Sequence, residues 1–273
     1  MATTPTASNK LVAQKTHYTS RPVDIPESFL QTPPSAPITF RHVPFADSAL
    51  PEYAGCLAVV LDNVLAEEEC GELLRLAEAS SDDAASPWRP ALVNVGGGFE
   101  VSVADYRNSD RIIWDSQAVV DRIWQRCLLA RGEGEGESIA GMLSETPGNR
   151  GGGRWAFERL NERMRFLKYT NGQFFKPHCD GKYGFVEDGV EFETHYTLHL
   201  YLNDSAAAEG GDGCVGGATS FLSQDLTRRL DVEPKAGSVL IFQHRGLLHQ
   251  GAEVLGGTKY TMRTDIVYRW VPE

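Results

Sequence analysis

Three side chains could form a metal site. His178-Cys179-Asp180 sets an imidazole and a carboxylate two residues apart, and on an extended segment these project to the same side. About seventy residues later His249 stands in Leu247-Leu248-His249-Gln250-Gly251, just after the apolar run Ser238-Val239-Leu240-Ile241-Phe242. Two histidines and one carboxylate can occupy one face of an octahedron and leave three positions open, the arrangement suited to Fe(II) enzymes that activate dioxygen. A zinc hydrolase can use the same three ligand types. The segment downstream of His249 separates the two readings. In Gly257-Thr258-Lys259-Tyr260-Thr261-Met262-Arg263-Thr264-Asp265, residues 259, 261, 263 and 265 share one face of a strand, so two cations project together near the metal, as a dicarboxylate cosubstrate requires. The alternative is that Lys259 and Arg263 pair with Asp265 on a solvated face.

These residues need strands to position them. Short alternating runs at 164–169, 174–177, 196–202, 219–222, 238–243 and 260–268 predict an antiparallel sandwich or barrel. Ahead of them, 56–61 predicts a buried strand, 62–80 a helix with Leu65, Cys70, Leu73, Leu74 and Ala77 on one face, and 116–130 a second helix. The expected fold is mainly β with flanking helices, a double-sheet jelly roll of the cupin type. Residues 1–50 hold seven of the fourteen prolines and predict an extended arm; 51–273 then form a single domain, with helical support over 51–160 and the catalytic β core over 161–273. The polar, glycine-rich stretches 131–153 and 203–217 predict mobile loops that close over the site.

A formal net charge of -11 and the lack of a basic stripe argue against a nucleic-acid partner. Five scattered cysteines with no C-x-x-C pair point to reduced thiols, and with no signal-like or membrane-length apolar run the expectation is a cytoplasmic protein that is not inserted in a membrane.

The order H-x-D, distal His and then Lys ten residues on resembles the Fe(II)/2-oxoglutarate-dependent dioxygenase superfamily, especially its prolyl 4-hydroxylase-like branch. The likeness runs from about residue 165 to 269 and includes Arg165-Phe166-Leu167-Lys168-Tyr169-Thr170-Asn171-Gly172, Leu200-Tyr201-Leu202-Asn203, Gly216-Gly217-Ala218-Thr219-Ser220-Phe221 and His249-Gln250-Gly251. It implies a double-stranded β-helix with iron held by His178, Asp180 and His249, and 2-oxoglutarate chelating that iron while Lys259 binds its C5 carboxylate. Tyr169 and Tyr201 look like the tyrosines whose hydroxyls bond the cosubstrate. Dioxygen is then the oxidant and ascorbate a stimulant. The implied reaction couples decarboxylation of 2-oxoglutarate to succinate with hydroxylation, or a related C–H oxidation, of a small organic molecule. A protein side-chain hydroxylase of the prolyl type is the alternative, and a metal-binding protein without turnover is a third reading. Where many relatives have Gly-Gly-Glu-Thr this chain has Gly217-Ala218-Thr219, which removes a polar contact. By strand parity His199 faces the cavity and His244 is structural. Tyr106-Arg107-Asn108-Ser109-Asp110-Arg111 resembles a piece of related oxygenases, in which Arg107 either binds an anionic substrate or salt-bridges to the acidic surface.

Overall fold

The computed structural model describes residues 12–132, 136–147, 152–207 and 213–273. Two antiparallel sheets face each other. In the larger, the strands run in the order Thr39–His42, Ala58–Asp62, Val239–Gln243, Val190–Tyr201, Thr258–Pro272, Arg163–Thr170, Asp110–Asp115 and Arg89–Pro90, and Gly153–Leu160 pairs with the far half of Thr258–Pro272. The smaller runs Arg229–Val232, Thr219–Leu222, His249–Gly251, Phe174–His178 and Arg107–Asn108. This is the jelly roll expected from the strand pattern, a double-stranded β-helix.

The two-residue period of a strand gives the large sheet two different faces. Ile112, Trp114, Met164, Phe166, Leu198, Leu200, Val239, Ile241 and Met262 point outward, into the main apolar core. The helices Glu67–Ser80 and Gln117–Cys127 cover that face, the first with Cys70, Leu73, Leu76 and Ala77, the second with Val119, Val120, Ile123 and Cys127. Each large apolar side chain buried here contributes about 1.5–3 kcal/mol. Three glutamates in the first turn of the first helix suit its dipole, and Glu69 also accepts the Ala66 N–H at 2.8 Å. The two helices are joined by Arg126, which donates to both Glu69 carboxylate oxygens at 2.6 Å.

Several boundaries differ from expectation. The first helix starts at Glu67 rather than near residue 62, because the Val64 and Leu65 N–H groups bond to the Gly237 carbonyl. The arm is not separate over residues 1–50: Thr39–His42 adds a strand to the large sheet, and Phe29, Leu30, Ile38 and Phe40 enter the core. Nor is 51–160 helical support alone, since Ala58–Asp62, Asp110–Asp115 and Gly153–Leu160 all join the large sheet. Parts of the two expected loops, 133–135, 148–151 and 208–212, lie outside the described residues. The rest is anchored by Ile139 and Leu143 in the core, the strand Glu145–Pro147 and buried Ser205 and Cys214. Gln14–Lys15 pairs with the hairpin Val93–Gly96 and Phe99–Val101 in a three-stranded sheet of its own. All five cysteines are free, and no helix among the described residues is long and apolar enough to cross a membrane.

Gly237 makes the turn into the strand Val239–Gln243 in a left-handed conformation (φ 73°), and a Cβ there would lie 1.8 Å from the Leu65 carbonyl oxygen. Gly237→Ala is expected to destabilise the chain by about 2–4 kcal/mol, from αL strain plus backbone displacement. Urea unfolding measures it, and a loss under about 0.5 kcal/mol would mean that this turn is not held by the Leu65 contact.

Candidate metal and cosubstrate site

His178 ends one strand of the small sheet and His249 begins its neighbour, where the two are direct cross-strand partners with ring centroids 4.4 Å apart. Each ring is oriented by a backbone carbonyl two residues earlier. His178 Nδ1–H donates to Lys176 at 2.7 Å and His249 Nδ1–H to Leu247 at 3.1 Å, which leaves both Nε2 lone pairs free. Those nitrogens lie 3.6 Å and 3.8 Å from the Asp180 carboxylate oxygens, and ligand atoms of the three residues all fall within 4.8 Å of one another.

Asp180 is held from the opposite sheet. Thr197 Oγ1 donates to its Oδ2 at 2.5 Å and Arg263 Nη1 lies 2.9 Å from its Oδ1. Burial alone would push this carboxyl up, but Arg263 and then the two imidazoles outweigh it and hold Asp180 well below the usual carboxylate range. Burial lowers His178 to about 3, assisted by His249 and opposed by Asp180. Burial also lowers His249. Near neutral pH the cluster is therefore two neutral imidazoles and one carboxylate, the protonation state in which these groups bind a divalent metal. The residues fit the iron that the sequence pattern implies.

The inner face of the large sheet supplies the rest. Cross-strand register aligns Tyr169 with Lys259, Tyr201 with Thr261, His199 with Arg263 and Thr197 with Asp265. Lys259 is 3% exposed and has no carboxylate partner among the described residues. Its Nζ donates to the Gly217 carbonyl at 2.6 Å and lies 5.4 Å and 5.7 Å from the Tyr169 and Tyr201 ring centroids. Burial lowers its ammonium to about 8. The Tyr201 hydroxyl donates to Thr219 Oγ1 at 2.7 Å.

Arg263 lies on the same face but is already engaged, with Asp180 at 2.9 Å and Asp265 at 3.2 Å. Asp265 also takes Arg165 at 3.1 Å and lies 3.6 Å from His244 Nε2. The expectation of two cations open to a cosubstrate thus resolves into one open lysine and one arginine bound to carboxylates. The alternative pairing with Asp265 applies to Arg263 only, and in a buried network rather than on a solvated face. His199 is half-buried on this face, its Nε2 shielded without a hydrogen-bond partner among the described residues and its ring 4.9 Å from Tyr201. His244 is 1% exposed behind Asp265.

A cavity of about 1020 Å³ opens onto His178 and Asp180. Arg107 forms part of its wall: the guanidinium lies 4.6 Å over the Phe175 ring, which stacks on the His178 imidazole at 3.7 Å. Sequence reasoning did not reach Thr197, Arg165 or Asp265 as site residues, although the odd-numbered parity that picks out Lys259 extends to all three once register is known. It also did not reach the roof, where Arg111 bonds Glu100 at 3.0 Å and Tyr18 bonds both. No local signal marks residues so far apart in the chain.

The model of the 2OG-Fe(II) oxygenase superfamily matches residues 164–265, which hold the site residues from Arg165 to Asp265. No curated protein matches the sequence significantly. Among solved structures, the chain is similar to a prolyl hydroxylase from Trichoplax adhaerens in complex with a hypoxia inducible factor peptide fragment (13% identity over 81% of this chain and 88% of that one, TM-score 0.50), a likeness that concerns the fold alone. Others are a Pseudomonas putida prolyl-4-hydroxylase (17%, 79% and 95%, TM-score 0.48) and the viral collagen prolyl hydroxylase of Paramecium Bursaria Chlorella virus-1 in its 2OG complex (21%, 77% and 95%, TM-score 0.45). The H-x-D…H triad is intact within the segment that matches the 2OG-Fe(II) oxygenase superfamily model.

Proposed function

We propose that this oxygenase oxidises a C–H bond of a small organic molecule held in the cavity beside His178 and Asp180. The observation that supports a small substrate is the roof. Thr16, Tyr18, Val93, Asn94 and Gly96–Gly98 line the same cavity as His178 and Asp180, and the Tyr18–Glu100–Arg111 cluster ties them together, which favours a bounded space over a groove for an extended peptide. Its volume of about 1020 Å³ lies at the top of the range for small-molecule sites.

His178, Asp180 and His249 would hold Fe(II), which when bound supplies the redox chemistry with dioxygen. The protein's own part is positioning and exclusion. Lys259 would meet the far carboxylate of 2-oxoglutarate in place of part of its Gly217 contact, with Tyr169 and the Tyr201–Thr219 pair at its sides. Phe242, whose ring is 4.7 Å from that of His249, and Phe221 and Leu240 fill the space between the sheets and keep water from that end. Arg263 would keep Asp180 ionised and aimed at the two imidazoles.

Incubating the iron-loaded protein and 2-oxoglutarate with pools of small metabolites or with proline-containing peptides, and following succinate, tests the substrate reading; peptide-dependent turnover alone would overturn it. His178→Ala, Asp180→Asn and His249→Ala should each remove Fe(II)-dependent succinate formation while cooperative melting is kept. Near-normal turnover in any of them would take that residue out of the site.

Lys259→Ala should raise the Michaelis constant for 2-oxoglutarate by about 30-fold to several-thousand-fold, or about 2–5 kcal/mol, since it strips a buried carboxylate of its partner. Arg263→Ala should instead weaken iron retention more than cosubstrate binding, and the reverse order would exchange the two roles. Burial places the Lys259 ammonium at about 8, below its unfolded value, so the empty site loses that charge as pH rises through 8. Above that pH, binding must take up a proton, and 2-oxoglutarate affinity should fall by up to about tenfold per pH unit. A flat affinity from pH 7 to 10 would show that Lys259 is not the partner.

A further inference from the structure

Among the arginines that line the cavity beside His178 and Asp180 are Arg107, Arg111, Arg165 and Arg263. Three have carboxylate partners. Arg111 bonds Glu100 at 3.0 Å, Arg165 bonds Asp265 at 3.1 Å, and Arg263 bonds Asp265 at 3.2 Å and Asp180 at 2.9 Å. Arg107 has none among the described residues. Its Nε is shielded from water without a hydrogen-bond partner, and its guanidinium rests on the Phe175 ring at 4.6 Å. The remaining charged wall residues do not alter this balance: Arg163 is paired with Asp115, Lys182 with Glu193, and Glu162 is exposed.

A shielded cation without a counter-ion is unfavourable unless a ligand supplies the charge. The strain is visible in Arg107 itself, lowered to about 10 by burial and by the neighbouring Arg111, Arg263 and Arg165. Neighbouring carboxylates cannot relieve it. Glu100 holds the roof, Asp265 is shared by two arginines, and Asp180 belongs to the metal cluster. Among the described residues, Arg107 is thus the wall cation left without a carboxylate partner.

We propose that the chamber takes a substrate bearing a single carboxylate, and that Arg107 is the residue that binds it. This rests on the oxygenase reading of the cavity and names the chemistry of its occupant. The planar guanidinium edge matches a carboxylate with two parallel N–H bonds. One free cation suits a monoanion; a phosphate dianion would leave a second charge unmatched. The Phe175 ring lies against both the Arg107 guanidinium at 4.6 Å and the His178 imidazole at 3.7 Å, so a carboxylate held at Arg107 keeps the rest of the substrate close to the metal cluster. The cosubstrate is a poor alternative occupant, because its far carboxylate has Lys259, which does not line this cavity.

The test uses the full chain with Fe(II) and 2-oxoglutarate under anaerobic conditions, titrated calorimetrically with a panel of small aliphatic, aromatic and amino-substituted carboxylic acids. Each acid is set against its primary amide and its phosphate-ester counterpart. At least one acid should bind about tenfold to several-hundredfold more tightly than its amide. Arg107→Gln should erase that preference and leave the 2-oxoglutarate dissociation constant unchanged; Arg107→Lys, which keeps the charge but not the fork, should retain part of it. The proposal is overturned if no acid is preferred to its amide, if phosphate esters are preferred to acids, if Arg107→Gln keeps the preference, or if its effect falls on 2-oxoglutarate instead. Iron and 2-oxoglutarate binding by the unaltered chain are measured in parallel. Loss of those would sink the oxygenase reading, whereas intact binding without acid preference sinks this proposal alone.

Discussion

The site depends on one buried ion network, Asp180–Arg263–Asp265. A carboxylate in the interior is tolerable only when it is paired, and Asp180 has to stay ionised and accessible to a metal at the same time. Arg263 satisfies the first condition at 2.9 Å without blocking the second, since it approaches one oxygen while Thr197 donates to the other. Arg263 is itself half-buried and meets a second anion in Asp265, two residues along the same strand. Asp265 in turn draws in Arg165 and His244. Removing Arg263 would strip Asp180 of its cation, so the network ties together the strands that carry it.

The network can exist because the large sheet has two solvents. Its outer face is apolar and sealed by the two helices, which gives the strands Thr258–Pro272, Val190–Tyr201 and Arg163–Thr170 their stability through Met262, Leu198, Leu200 and Phe166. The inner face of the same strands is then free to hold charge. A shift of one residue in register would put Arg263 into the core and Met262 into the site, a penalty large enough to fix the register without any help from the polar groups. Packing on one side thus positions chemistry on the other.

The grouping of His178, Asp180 and His249 is legible in the sequence because a candidate metal site depends on residue type at a recognisable spacing, and strand parity likewise places Lys259 and Arg263 on one face. The strand pattern after residue 164 is legible for the same reason. Helix starts and loop anchoring are not, since they turn on single long-range contacts such as Gly237 to Val64 and Leu65. The separate jobs of Lys259 and Arg263 are also hidden. The two cations share a face and a strand, and only the fold shows that Asp180, some eighty residues earlier, comes to rest against one of them.

The same limit applies to the roof, and it explains why arginines with similar local sequence do different work. Arg107 and Arg111 lie four residues apart in one motif, yet Arg107 stands in a short strand at the edge of the small sheet while Arg111 lies in the large one. At Arg111, Glu100 and Tyr18 converge from the hairpin and the N-terminal arm, and the charge is used to hold cover over the cavity. That ion pair is almost fully buried, with side chains 6% and 8% exposed, so much of its attraction is spent on desolvation. Its value lies in geometry: an ion pair with a shared phenol accepts few orientations, which fixes where the roof sits above His178. Among the described residues Arg107 has no such partner, and it lines the cavity with its charge unpaired.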